Sequence, residues 1–187
     1  MSSNAKSGNP APLGLAGFGL TTVLLNLNNA GIVATSVLTM CYGFFFGGLA
    51  QVLAGMIEFR RGSTFGGTAF TGYGLFWIGL ALMVLLCDWL KVAPPPSPAE
   101  LAAWMFMWGI FTVYLTICVL KTGPNALRVV FVTLTILFFL LSAAFAAQSQ
   151  LLLHTAGYEG IICGLSAIYT SAGLIINEVY GRPVVPL

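Results

Sequence analysis

Charge is what this chain has least of. Seven Lys and Arg, five Asp and Glu and one His serve 187 residues, so 6% of the chain is charged, against about 25% in an ordinary soluble domain. Twelve formal charges cannot line a nucleic-acid groove, and no nucleic-acid partner is expected. None of them falls in the middle of an apolar stretch. An intramembrane protease, a pump with a carboxylate relay or a metal-dependent hydrolase needs ionisable or ligating groups there, so the chain reads as no enzyme and calls for no metal or cofactor. Cys41, Cys87, Cys118 and Cys163 stand singly, without Cys-x-x-Cys spacing or a neighbouring His, and read as small hydrophobes. His154, read as part of an external loop, has no partner at ligand spacing and is expected to be a partly exposed polar residue.

What the chain has instead is apolar surface: 58% hydrophobic residues and a mean hydropathy of +0.96. Such a chain is an integral membrane protein, expected in the plasma or inner membrane with the lipid bilayer as its solvent. Six apolar segments run from Leu13 to Leu27, Ile32 to Ile57, Gly66 to Leu90, Leu101 to Leu120, Ala126 to Ala147 and Gly157 to Val179. The fold class is therefore all-α, polytopic, with six transmembrane helices. The first span is short, covering about 20 Å between Leu13 and Asn26 at the helical rise, so its ends are expected inside the protein. Met1 to Gly8 forms a polar tail with no sign of a cleavable leader, and 9–187 a single transmembrane domain. A proline-rich external loop (VAPPPSPA, about 92–99) separates three spans from three. Lys6, Arg60, Arg61, Lys121, Arg128 and Arg182 fall on one side of six spans and Lys91 alone on the other, which places both termini in the cytoplasm. Glu58, Glu159 and Glu178 are placed at span ends and are the candidates for proton linkage.

Uncharged polar groups inside the spans need partners, because burying an unpaired amide or hydroxyl costs about 2–7 kcal/mol. Those partners are neighbouring helices or a wet path. For a single Thr, such as Thr22 or Thr71, a bond to the helix's own backbone is the simpler account. Asn26, Asn29 and Gln51 are harder to satisfy that way, since a carboxamide needs several bonds. Small residues pair at helix-packing spacing: Gly43 with Gly47, Ala50 with Ala54, Gly160 with Gly164. They suit close helix contact within one subunit, with contact between subunits as the alternative.

The most informative stretch is Asn9 to Phe18, NPAPLGLAGF. Pro10 and Pro12 suit the first turn of a helix and Asn9 suits its cap, so the positive end of the first span would face an incoming anion. Gly14 and Gly17 keep the approach narrow, with Phe18 one turn beyond Gly14. This stretch resembles the signature of the acetate uptake transporters, the succinate-acetate permeases. TVLLNLNN from Thr22, TFGGTAFTGYGLFW from Thr64, CGLSAIY from Cys163 and NEVYGRPV from Asn177 are similar to that family in the same order.

The resemblance implies membrane transport of acetate and related small carboxylates, succinate among them, by channel-like conduction or proton-coupled uptake. It also implies a homo-oligomer, a hexamer with one pathway per protomer. It further implies a hydrophobic constriction built by Phe18, Tyr73 and Leu134; from the residues alone Tyr73 and Leu134 read as ordinary core. Asn9, Pro10, Pro12, Gly14, Thr22, Asn26, Asn29, Gln51 and Thr71 are candidates for the substrate pathway, joined by Ala167 and Asn177 from the last two motifs. A channel for a small neutral or cationic solute such as ammonia is the alternative within transport, and a non-transporting membrane subunit the alternative outside it. The lack of a buried cation is compatible with anion passage, because amide donors and helix N-termini bind a carboxylate weakly enough to release it.

Overall fold

The computed structural model describes residues 8–34 and 36–187, so Lys6 and the polar tail before Gly8 lie outside the described residues. Every regular element within them is helical. Six spans are long and apolar enough to cross a bilayer: α1 (Ala11–Asn29), α2 (Val37–Arg60), α3 (Thr64–Trp89), α4 (Pro98–Thr122), α5 (Asn125–Ala146) and α6 (Gln150–Tyr180). Tyr42–Ala50 of α2 is wound as a π-helix, as is Leu85–Trp89 at the end of α3.

Four of the helices start on a serine. Ser36, Ser63, Ser97 and Ser149 each accept a bond from a backbone N–H two or three residues on, opening α2, α3, α4 and α6, which satisfies donors that a helix leaves unpaired. At Ser97 the cap is reciprocal, since the Glu100 carboxylate accepts from the Ser97 N–H at 2.7 Å. That capping box starts α4 at Pro98, inside the stretch expected to be loop. Gly62 (φ 81°) makes the turn from α2 to α3 and Gly181 (φ 64°) ends α6, positions whose backbone sense suits glycine.

The sequence places the first and last spans too tightly. α1 has 19 residues, about 28 Å of helix, because Pro10 starts it two residues before Leu13 and Asn28 and Asn29 remain helical. It is still the shortest of the six. α6 begins seven residues before Gly157 and has 31 residues. Its first turns, QLLLHTA, are polar enough to read as loop, yet Ser149 caps them into the helix. His154 is therefore helical and half-buried, with Nε2 2.9 Å from the Gln150 amide nitrogen one turn back. Glu159 likewise lies nine residues inside α6 rather than at a span end.

The helices close into a ring in chain order, α1 against α2, α2 against α3, α4 against α5, α5 against α6, and α6 back against α1. The α1–α6 seam is the tightest, and glycines make it so. A Cβ on Gly164 would stand 2.7 Å from the Gly19 carbonyl oxygen, and one on Gly160 would enter the Asn26 amide. Ser171 donates to the Pro12 carbonyl at 2.6 Å across the same seam. Gly47 closes on Thr21 and Gly43 on Ala81, so these glycine pairs serve packing within the chain. Between α3 and α4 the backbones hardly approach. Aromatic side chains fill that gap: Phe76 stacks on Trp104 at 5.0 Å and meets Trp108 edge-on at 5.1 Å.

Candidate functional site

α1, α3 and α5 each send one apolar side chain to the middle of the ring: Phe18, Tyr73 and Leu134. All three are buried, at 5%, 3% and 3% exposure. The Phe18 and Tyr73 ring centroids lie 5.9 Å apart at a 49° tilt. With Leu15, Gln51, Phe70 and Phe131 they enclose a space of about 20 Å³. A space of this measure holds about one water molecule, so an acetate-sized solute does not fit in it unless a side chain turns aside.

Inward of the constriction the space widens to a vestibule of about 250 Å³, bordered by Asn9, Leu15, Glu58, Ser63, Phe70, Phe131 and Thr170 among others. Leu15, Ala69, Phe70 and Phe131 line both spaces, so the two lie side by side with these four residues between them. Gly14 leaves room for this junction, since a Cβ there would stand 2.5 Å from the Phe70 ring. The vestibule opens at the end that holds the α2–α3 turn, where Arg61 donates to the Gly8 carbonyl at 2.8 Å. Arg60, Arg61, Lys121, Arg128 and Arg182 gather at this end, which the positive-inside rule makes cytoplasmic. Outward of the constriction Phe76, Trp77, Trp104, Trp108 and Phe138 pack ring on ring. Beyond these rings a further space of about 210 Å³ lies at the outer ends of α4, α5 and α6, bordered by Pro98, Leu101, Phe145 and Leu153 among others.

Among the described residues no Lys, Arg or His borders either space, and no cluster of His, Cys, Asp and Glu suited to a metal occurs. Gln51 borders the narrow space, and Glu58 borders the vestibule along with Asn9, Ser63 and Thr170. Gln51 follows the π-wound turn of α2, is 1% exposed, and its Oε1 has no bonding partner among the described residues. Glu58 is buried at the vestibule wall, its carboxylate beside Ser63 and Gly66 in the first turn of α3, where a negative charge meets the positive end of the helix dipole.

The structure brings some predicted pathway residues to these two spaces and leaves others at helix seams. Pro10 is the N-cap of α1, and Asn9 supports it from one residue earlier, its Oδ1 accepting from the Ala11 N–H at 3.1 Å. Thr22, Asn26 and Asn29 form a ladder along α1: Thr22 donates to the Phe18 carbonyl at 2.7 Å, Asn26 to the Thr22 carbonyl at 2.9 Å, and Asn29 to the Asn26 amide oxygen at 3.0 Å. Asn26 presses on Gly160 of α6, outside both spaces. Thr71 packs against Gly55 of α2, and Ala167 is fully buried in the core. Pro12 hands its carbonyl to Ser171. Asn177 spends its amide on the tail, donating to the Val185 carbonyl at 2.8 Å and accepting from Val184 and Val185 at 2.7 and 2.8 Å. Glu178 is exposed near the start of α1. Both Glu159 carboxylate oxygens are buried in α6 without a bonding partner among the described residues. Sequence reading missed Thr112 and Thr116. Thr112 bonds Tyr73, and Thr116 ties α4 to Thr135 of α5 at 2.9 Å; the i, i+4 spacing of two threonines was the available signal.

Three comparisons bear on this arrangement. The family described as GPR1/FUN34/yaaH matches residues 1–182. The succinate-acetate/proton symporter SatP of Escherichia coli K12 is 45% identical over 184 residues, 98% of this chain and 97% of that protein. A solved structure of the bacterial acetate channel SatP superimposes with a TM-score of 0.94 at 44% identity, covering 97% of this chain and 99% of that one. Ammonia transport outward protein 2 of Saccharomyces cerevisiae is 34% identical over 181 residues, 92% of this chain and 64% of that protein.

Proposed function

The chain belongs to the GPR1/FUN34/yaaH family, and from that premise we propose that it carries acetate and related small carboxylates, succinate among them, across the membrane through the ring of each protomer. The observation that carries this reading is the apolar constriction of Phe18, Tyr73 and Leu134 at the head of a vestibule that no Lys, Arg or His borders among the described residues. It stands in a chain similar over nearly its whole length to a succinate-acetate/proton symporter.

The lining chemistry bears on how the solute passes. An ionised carboxylate stripped of water costs several kcal/mol when nothing pairs with it. The neutral acid needs only its O–H and carbonyl satisfied. The unpartnered Oε1 of Gln51 is an acceptor for that O–H, so the solute brings its own proton and the protein need not supply one. Asn9 and the first turn of α1 attract the anion at the vestibule mouth, where it is still hydrated. Glu58 on the vestibule wall opposes retention of the anion and favours release to the cytoplasm. We propose that protomers assemble as a hexamer, the exposed aliphatic faces of the helices meeting lipid and neighbouring copies.

Purified protein in liposomes tests the reading. Labelled acetate enters faster than in protein-free liposomes, and labelled methylammonium, a stand-in for ammonia, does not. The second reading, an ammonia path, draws support from the yeast relative and predicts the reverse.

A further inference from the structure

The seam between α3 and α4 is closed by side chains, and a hydrogen bond crosses it at the constriction. Tyr73 Oη lies 3.0 Å from Thr112 Oγ1. The Thr112 hydroxyl donates to the Trp108 carbonyl one turn back at 2.8 Å. Its one proton is committed there, so toward Tyr73 it accepts, and the Tyr73 O–H donates. Thr112 is completely buried and Tyr73 3% exposed. Around the Tyr73 ring stand Phe18, Trp108, Phe111, Phe131 and Phe138, with centroids 5.4 to 6.5 Å away. None of those rings offers an oxygen acceptor. If the ring swings aside, its hydroxyl leaves Thr112 for aromatic carbon.

We infer that Thr112 is a positioning residue for the constriction: its hydroxyl holds the Tyr73 ring across the route and so sets the size of carboxylate that passes. The inference rests on the reading of Tyr73 as part of the gate. Thr112 touches no solute and borders neither space; it acts through Tyr73. A bond of this kind biases the ring toward the blocking position by roughly threefold to tenfold. That bias matters here because about 20 Å³ is free beside the ring, and passage requires the ring to move.

The experiment compares uptake of lactate and of acetate by purified protein in liposomes, with melting temperature and assembly size checked for each variant. Thr112→Val removes the acceptor and keeps the shape, and the lactate-to-acetate ratio rises roughly threefold to tenfold. Thr112→Ser keeps the acceptor and returns the parent's ratio. Tyr73→Phe removes the donor without touching α4 and raises the ratio to the same extent; in that background Thr112→Val adds nothing. A parent ratio in Thr112→Val, or an undiminished effect of that change in the Tyr73→Phe background, overturns the positioning role. Tyr73→Ala separates the two readings. If it leaves the ratio unchanged the gate itself falls, and the inference with it; if it shifts the ratio while Thr112→Val does not, the gate stands and only the positioning role is lost.

Discussion

Replacing Gln51 with Leu separates the route from the scaffold, because the structure gives the change opposite signs for stability and for transport. The side chain is 1% exposed and its Oε1 has no bonding partner among the described residues. A buried acceptor left unpaired costs about 1–3 kcal/mol. Leu is close to Gln in size, so the change removes that cost without opening a void of the kind a truncation leaves. For a chain of 187 residues, 1 kcal/mol corresponds to about 2–4 °C of melting temperature, and the variant should melt about 2–12 °C higher. Transport should move the other way. The acid passing Phe18 and Tyr73 loses the acceptor for its O–H, a bond of about 1 kcal/mol, so uptake falls about fivefold. Melting of the detergent-purified protein and labelled acetate uptake in liposomes at equal protein content read the two effects. A melting temperature lowered by several degrees would show that the amide is satisfied within the folded chain, and unchanged uptake would take Gln51 off the route.

Phe18→Ala opens the constriction from the α1 side, and the ratio of lactate to acetate uptake should rise; an unchanged ratio in a correctly assembled variant refutes its place in the gate. Asn177→Ala removes three hydrogen bonds that hold Val184 and Val185, so limited proteolysis should cut the tail several-fold faster while acetate uptake stays near the parent rate. A large loss of uptake with an intact tail would return Asn177 to the pathway. Glu58→Gln, Glu159→Gln and Glu178→Gln should each lower uptake modestly, because the solute carries the proton. A stable variant that exchanges acetate yet no longer accumulates it under a pH gradient would identify a dedicated proton carrier.

The six spans and the first turn of α1 were legible because hydropathy, proline placement and positive charge act locally and leave local marks. Serine caps were present in the sequence at Ser36, Ser63, Ser97 and Ser149; Ser97 moves the start of α4 to Pro98, and Ser149 changes the outcome most. It draws Gln150 to Ala156 into α6, and so carries His154 and Glu159 from a loop and a span end into the helix. Polarity alone does not tell which side chains border the two spaces and which sit at helix seams. Thr22 and Asn26 spend their polar groups on bonds along α1, whereas Thr71 Oγ1 is buried at the α2–α3 seam with no bonding partner among the described residues, and nothing in their spacing separates the two cases. Gln51 differs by facing the constriction, a fact fixed by the turn of α2 after its π-wound stretch. The Tyr73–Thr112 bond joins residues 39 apart on helices whose backbones hardly meet, and no periodicity encodes such a pairing.

The account's central claim is that a small carboxylic acid, carrying its own proton, crosses between Phe18, Tyr73 and Leu134. Acetate accumulation in liposomes holding the purified protein, with the outside made acidic and with the gradient collapsed by a protonophore, tests it most directly. The account predicts accumulation above protein-free liposomes that vanishes when the gradient collapses and that Tyr73→Trp, which fills the remaining space, suppresses. Uptake no faster than in protein-free liposomes, or uptake indifferent to Tyr73→Trp, would contradict it.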